Sequence, residues 1–158
     1  MTLTERFQAF VCEGDSITCE VAGFEITARI VRDDCGDAPD ERQDGFWPSL
    51  YKDSAGFIGA GPNHRARFDA AQARAEAIME AWRKDEWFYC GIVLSIAREG
   101  IVLDAHAASL LGIEANYPDS ANSHLDSVAN ELLPEALDTG RAAIQRLCTA
   151  VTTDEARA

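Results

Sequence analysis

From Ile17 the chain alternates apolar and polar positions. Ile17, Cys19 and Val21 point one way, Ala22-Gly23 supplies a tight turn, and Phe24, Ile26, Ala28 and Ile30 resume against Glu25, Thr27 and Arg29. Period two on both sides of a Gly-containing turn predicts a half-buried β-hairpin. From Arg65 to Lys84 the period changes. Phe68, Ala71, Ala75, Ile78 and Trp82 step by three and four, which predicts an amphipathic helix whose basic end, Arg83-Lys84, suits the negative pole of the helix dipole.

Residues 87–97, WFYCGIVLSIA, are apolar on both alternating faces apart from Ser95, as in a strand with neighbours on both sides. Arg98-Glu99-Gly100 predicts a three-residue hairpin loop, and the chain returns as an antiparallel strand over 101–113. Ser123, with Asp126 three positions on, has the form of a helix cap. Leu125, Val128, Ala129, Leu132, Ala136 and Leu137 then give a helical apolar face that Ile144, Leu147 and Val151 carry onward. Pro134 inside this pattern predicts a kink or two successive helices. Residues 2–11 carry enough apolar spacing for a short N-terminal helix, and residues 152–158 are expected to fray. The segment 33–63, rich in glycine and proline and without a sustained period, predicts a long loop with Phe46, Trp47, Leu50, Tyr51, Phe57 and Ile58 holding it down. Hairpin, helix, hairpin, helix is the order of an α+β two-layer sandwich, a four-stranded antiparallel sheet with helices packed on it.

A length of 158 residues suits one globular domain over 1–158, and 47% hydrophobic with 26% charged residues is an ordinary globular balance. No apolar run reaches the ~20 residues of a membrane span, and the start MTLTERFQAFV lacks the pattern of a signal peptide, so a cytoplasmic protein is expected. The five cysteines are odd in number and form no CxxC pair, which favours reduced thiols. The net charge of −13 changes the picture most. It disfavours direct binding to nucleic acid or anionic membrane and favours a basic protein surface as partner.

That charge is concentrated. From Glu99 to Gly140 the carboxylates Glu99, Asp104, Glu114, Asp119, Asp126, Glu131, Glu135 and Asp138 occur without one lysine or arginine. Glu131, Glu135 and Asp138, at i, i+4 and i+7, share one helix face with neighbours roughly 5–6 Å apart. Such a row can imitate the charge spacing of a nucleic-acid backbone; the plain alternative is a solvated face of an acidic protein. Asn116, Tyr117 and Asp119, between strand and helix, offer an aromatic anchor among polar groups, or turn chemistry alone.

Other constellations are weaker. His106 and Asp104 on the returning strand, with Cys90 on its neighbour, can be drawn as a Cys-His-Asp site, against which stands a hydrogen-bonded structural histidine. His64 and His124 flank helix starts. Asp33, Asp34, Cys35 and Asp37 are rich in ligand atoms but match no metal-binding spacing, and Gly59-Ala-Gly-Pro-Asn63 lacks the lysine and preceding strand of a phosphate loop. No cofactor or metal is expected.

The stretches DEWFYCGIVLS (85–95) and LDAHAASLLGIEANYPDSANSHLDSVANELLPEAL (103–137), with a weaker echo in GFEITARIVRDD (23–34), resemble a family of small acidic proteins carried by proteobacterial prophages, plasmids and integrative elements. Where that family has tryptophan after HAASL this chain has Leu111. The resemblance carries over no catalytic residue. It implies a mobile-element context, in which small acidic proteins disarm host defence by occupying a nucleic-acid-binding surface of a CRISPR or restriction complex. The expectation is a non-catalytic binding protein, of anti-CRISPR or anti-restriction type with nucleic-acid mimicry as its mode, docking through Glu114, Asn116, Tyr117, Asp119, Asp126, Glu131, Glu135 and Asp138. The alternatives are a small enzyme centred on His106 and Asp104, and a homodimeric structural or regulatory protein joined through a sheet edge or the aromatic loop.

Overall fold

Two hairpins with the same turn chemistry build the sheet. The computed structural model describes residues 2–59 and 61–157, so Met1, Ala60 of the 33–63 loop and Ala158 of the tail lie outside the described residues. The elements are β1 (Ser16–Val21), β2 (Phe24–Arg32), α1 (Pro39–Arg42), α2 (His64–Arg83), β3 (Phe88–Arg98), β4 (Ile101–Ala115) and α3 (Ser123–Arg157). The α+β class and the four-stranded antiparallel sheet are as the pattern predicts, with strand order β1-β2-β3-β4. Ala22 and Gly23 have φ of 54° and 80°, and Glu99 and Gly100 have 52° and 77°. Both turns thus place two successive residues in the left-handed region, the form that matches the twist of paired strands. The second turn is therefore two residues long, not three, because Arg98 stays in the ladder opposite Ile101.

The chain divides into two compact units, one made of the residues up to Asp33 with those from Phe88 onward, the other of Asp34–Trp87. In the first unit α3 covers one sheet face. Ile26, Ala28 and Ile30 of β2 and Cys90, Ile92, Leu94 and Ile96 of β3 meet Leu125, Ala129, Leu133, Ala136 and Leu137 of α3, all fully buried. Each leucine or isoleucine so buried contributes about 1.5–3 kcal/mol. Gly140 marks the closest approach, for a Cβ there would lie 2.4 Å from Ile96 Cδ1 and 3.3 Å from Phe24 Cε1.

Two local expectations are corrected. Pro134 does not divide the helix, which runs unbroken from Ser123 to Arg157. Pro134 is exposed, so water can solvate the carbonyl its missing N–H leaves, while Leu133 and Leu137 stay anchored in the core. Residues 2–11 form no helix. Their backbone amides go to side chains elsewhere: Leu3 N donates to Asn130 Oδ1 (2.7 Å), Phe7 N to Asp126 Oδ1 (2.8 Å) and Val11 N to Asn116 Oδ1 (2.9 Å). Leu3, Phe7 and Val11 are buried beside them. The four-residue spacing that resembles a helix period is the spacing of these attachment points along a strap.

β4 needs 15 residues to run beside the 11 of β3. Its register shifts fall between Cys90 and Ile92, between Leu94 and Ile96, and between Ile96 and Ala97. Bulges of this kind re-aim side chains and end simple alternation, a point that matters for Asp104 and His106.

In the second unit α2 buries Ala75, Ile78 and Met79, and Trp87 Nε1 donates to the Ile78 carbonyl at 2.9 Å. Part of the predicted loop has structure of its own. Arg42 donates to the carbonyls of Cys35 and Asp37, Phe46 and Trp47 meet edge to face at 5.0 Å, and Ser49 bridges to Phe57. Gly56 is obligatory at that bridge, since a Cβ would lie 2.0 Å from the Trp47 carbonyl oxygen.

Candidate functional site

α3 presents opposite faces to different surroundings. Leucine and alanine at 125, 129, 133, 136 and 137 bind it to the sheet, which turns Glu131, Glu135 and Asp138 outward, and all three are exposed. Glu131 and Glu135 make no ion pair among the described residues, and Asp138 meets Arg141 Nη1 at 3.4 Å on the solvent side. An exposed i, i+3 pair of this sort is worth little and leaves the field of the row largely intact.

The eight residues singled out from the sequence do not form one patch. Asp126 is half-buried with its Oδ1 on the Phe7 amide. Asn116 lies at the centre of a joint. Its Oδ1 accepts from Val11 N and Asn122 Nδ2, its Nδ2 donates to the Val11 carbonyl, and its own amide donates to Asn122 Oδ1. Both side chains are spent on holding the strap. Tyr117 and Asp119 stand in the turn that follows, where the Ser120 amide donates to the Tyr117 carbonyl and Asp119 is exposed. Glu114 pairs with Tyr89 in the ladder, between Ile113 and Ala115, which face the core. Alternation therefore turns Glu114 to the sheet face away from α3. Burial pushes its carboxyl above the usual range, partly offset by His124, and its half-buried place on another face keeps it out of the helix row. The helix row is what remains as a coherent surface.

The sequence reading missed Asn122, which is 1% exposed and the one buried polar residue among those described. Its Nδ2 also donates to the Ala9 carbonyl at 2.9 Å. The only sequence signal is an asparagine next to a helix start, which reads as a cap.

Comparison of the chain with family models, with curated proteins and with solved structures finds no match.

The Cys-His-Asp grouping is not assembled. Cys90 pairs with Ile113 and Asp104 with Ile96, about 20 Å apart along the ladder at ~3.3 Å per residue. Asp104 Oδ1 instead accepts the His106 amide at 2.8 Å within the bulge, and His106 Nε2 meets Ser109 Oγ at 2.9 Å on an exposed surface. Among the described residues no group of three His, Cys, Asp or Glu side chains is placed to hold a metal ion, and no helix is long and apolar enough to cross a membrane.

Burial, with a smaller contribution from the Asp33 carboxylate, pushes the Cys90 thiol up to about 12, where it is no nucleophile. Cys12, Cys35 and Cys148 are exposed, whereas Cys19 and Cys90 are buried. An alkylating reagent is expected to label the first three in the native protein and the other two only on unfolding. The raised thiol also has a pH signature. The folded state keeps a proton that the unfolded chain releases, so stability is full below the unfolded thiol's range near ~8.5 and falls by ~1.4 kcal/mol per pH unit above it. The loss continues until the folded thiol itself titrates, at about 12. Urea titrations between these limits should show a steeper loss in wild type than in Cys90→Ala, which keeps the buried Cys19 thiol, itself pushed up by burial and by Glu5.

Proposed function

We propose that this protein is a non-catalytic acidic docking protein whose α3 face, centred on Glu131, Glu135 and Asp138, occupies a basic groove on a host nucleic-acid-binding defence complex. The observation that carries this reading is the exposure of three carboxylates at i, i+4 and i+7 on a helix whose other face is fixed in the core. A rigid element presents the charges without an ordering cost at binding, and the overall charge of −13 steers encounter with a basic partner. The three carboxylates recur at about 5–6 Å along one helix face, and this regular negative row supports mimicry as the mode. The resemblance to proteins of mobile elements supports anti-CRISPR or anti-restriction action as the context, with the cytoplasm as the place.

Phage plaquing on hosts that carry restriction or CRISPR systems tests the proposal. Expression of the wild-type protein should raise plaquing on at least one such host, and Glu131→Gln/Glu135→Gln/Asp138→Asn should abolish the rise while folding normally. Protection retained by the neutralised variant, or none from wild type against any system, would overturn it.

A further inference from the structure

The last part of α3 outruns the body it belongs to. Ala143 is the last buried residue of the helix, Ile144 still packs against the core, and every residue from Gln145 to Arg157 is exposed. At ~1.5 Å per residue this is a projection of roughly 20 Å. The segment continues a helix already nucleated over Ser123–Ile144, so propagation alone sustains it, without the packing that fixes the rest of α3. Its sequence is also not that of a solvated helix. Ile144, Leu147 and Val151 continue the apolar stripe at i, i+3 and i+7, and Leu147 and Val151 are 56% and 59% exposed. Helix α3 runs antiparallel to β4, with His124 Nε2 at the Glu114 carbonyl near one end and Thr139 Oγ1 donating to the Ala107 carbonyl further along. The projection therefore leaves past the β3–β4 turn, where Ile101 and Val102 are 67% and 62% exposed.

We infer that this projection is the interface of a two-fold antiparallel pair with a second copy of the chain. The charges flanking the apolar stripe are self-complementary in that orientation, and this local match argues for a second copy against the repulsion between two chains of net charge −13. About a two-fold axis near Cys148, Arg141 of one copy lies opposite Glu155 of the other, each seven residues from the axis, and the pairing occurs twice. Asp154 then faces Ala142, and Arg146 faces Ala150, so no like charges oppose. A parallel pair would set Arg141 on Arg141 and Glu155 on Glu155. In the single chain Arg141 meets only the exposed Asp138 at 3.4 Å, a pair too weak to hold it from a second carboxylate. Leu147 and Val151 of both copies meet at the centre, leaving the acidic row at 131–138 on the outer part of each helix.

Solution mass across a concentration series tests the inference. Wild type is expected at twice its 17.2 kDa. Leu147→Asp/Val151→Asp, which alters only residues exposed in the single chain, should give a folded monomer. Arg141→Glu should raise the dimer dissociation constant roughly tenfold through loss of two exposed pairs, and Arg141→Glu/Glu155→Arg should restore it. A wild-type monomer at all concentrations, a dimer that survives Leu147→Asp/Val151→Asp, or a charge swap without rescue would each overturn it. Circular dichroism of every variant separates dissociation from unfolding.

Discussion

Asn122→Leu should cost about 3–5 kcal/mol, a large part of the ~5–15 kcal/mol that holds a domain of this kind together. The replacement matches the asparagine in size but strands two partners and takes one of two bonds from a third, Asn116 Oδ1, which keeps the Val11 amide. The Asn116 amide loses its acceptor, and the Ala9 carbonyl and Asn116 Oδ1 lose a donor. Each buried group left unpaired costs roughly 1–3 kcal/mol. Asn122 also sits at φ 62°, a region asparagine tolerates and leucine does not, which adds about 1 kcal/mol. Damage should spread along the strap, because Asn116, once loosened, holds Val11 less well at both its amide and its carbonyl. Urea unfolding gives the total, and hydrogen exchange should show the Val11 amide losing protection before those of Phe7 and Leu3. A cost below about 1 kcal/mol would mean that the joint does not bear on stability as the geometry requires.

Gly140→Val is the second large effect. A Cβ at this position meets Ile96 Cδ1 at 2.4 Å and Cγ1 at 3.2 Å, with Phe24 Cε1 at 3.3 Å. Ile96 is fully buried and Phe24 nearly so, so neither can step aside cheaply. Overpacking of a filled core costs about 1–3 kcal/mol, and a branched side chain belongs at the top of that range. Gly140→Ala should fall much lower, because removing glycine from a helix interior returns about 0.8–1 kcal/mol. Thermal unfolding should place valine roughly 5–10 °C below wild type and alanine between them. Midpoints at or above wild type for both variants would show that α3 does not approach the sheet this closely.

The sheet and α3 were legible because burial writes a period into the sequence. Strand β3 reads as an interior strand from WFYCGIVLSIA, and it lies between β2 and β4. The first turn reads correctly from Ala22-Gly23, and the second reads at the right place but one residue too long, because Arg98 belongs to the ladder. What the sequence misreported was spacing that two structures share. Leu3, Phe7 and Val11 recur every fourth residue whether they wind as a helix or hang from Asn130, Asp126 and Asn116, and the acceptors lie more than a hundred positions away. The bulges of β4 defeated alternation in the same way. Asp104 and His106 stand two apart, yet the bulge over 105–107 turns their relation from neighbouring side chains into a carboxylate on a backbone amide.

The candidate site was legible only where a helix displayed it. Glu131, Glu135 and Asp138 follow from periodicity on a core-anchored helix. Asn116 and Asp126, equally polar in the sequence, are consumed by long-range hydrogen bonds that no local pattern announces. Glu114 is turned away by strand alternation, and the register that fixes this depends on the bulge at Leu111-Gly112, where Gly112 has φ 75°.

The most direct measurement is the salt dependence of affinity between the purified protein and the defence complex whose plaquing block it lifts, for wild type and Glu131→Gln/Glu135→Gln/Asp138→Asn. Docking through the α3 row expects wild-type affinity to fall steadily with salt, and the neutralised protein to bind roughly tenfold or more weakly at low salt with a shallower dependence. Equal affinity and equal salt dependence for the two proteins would contradict it.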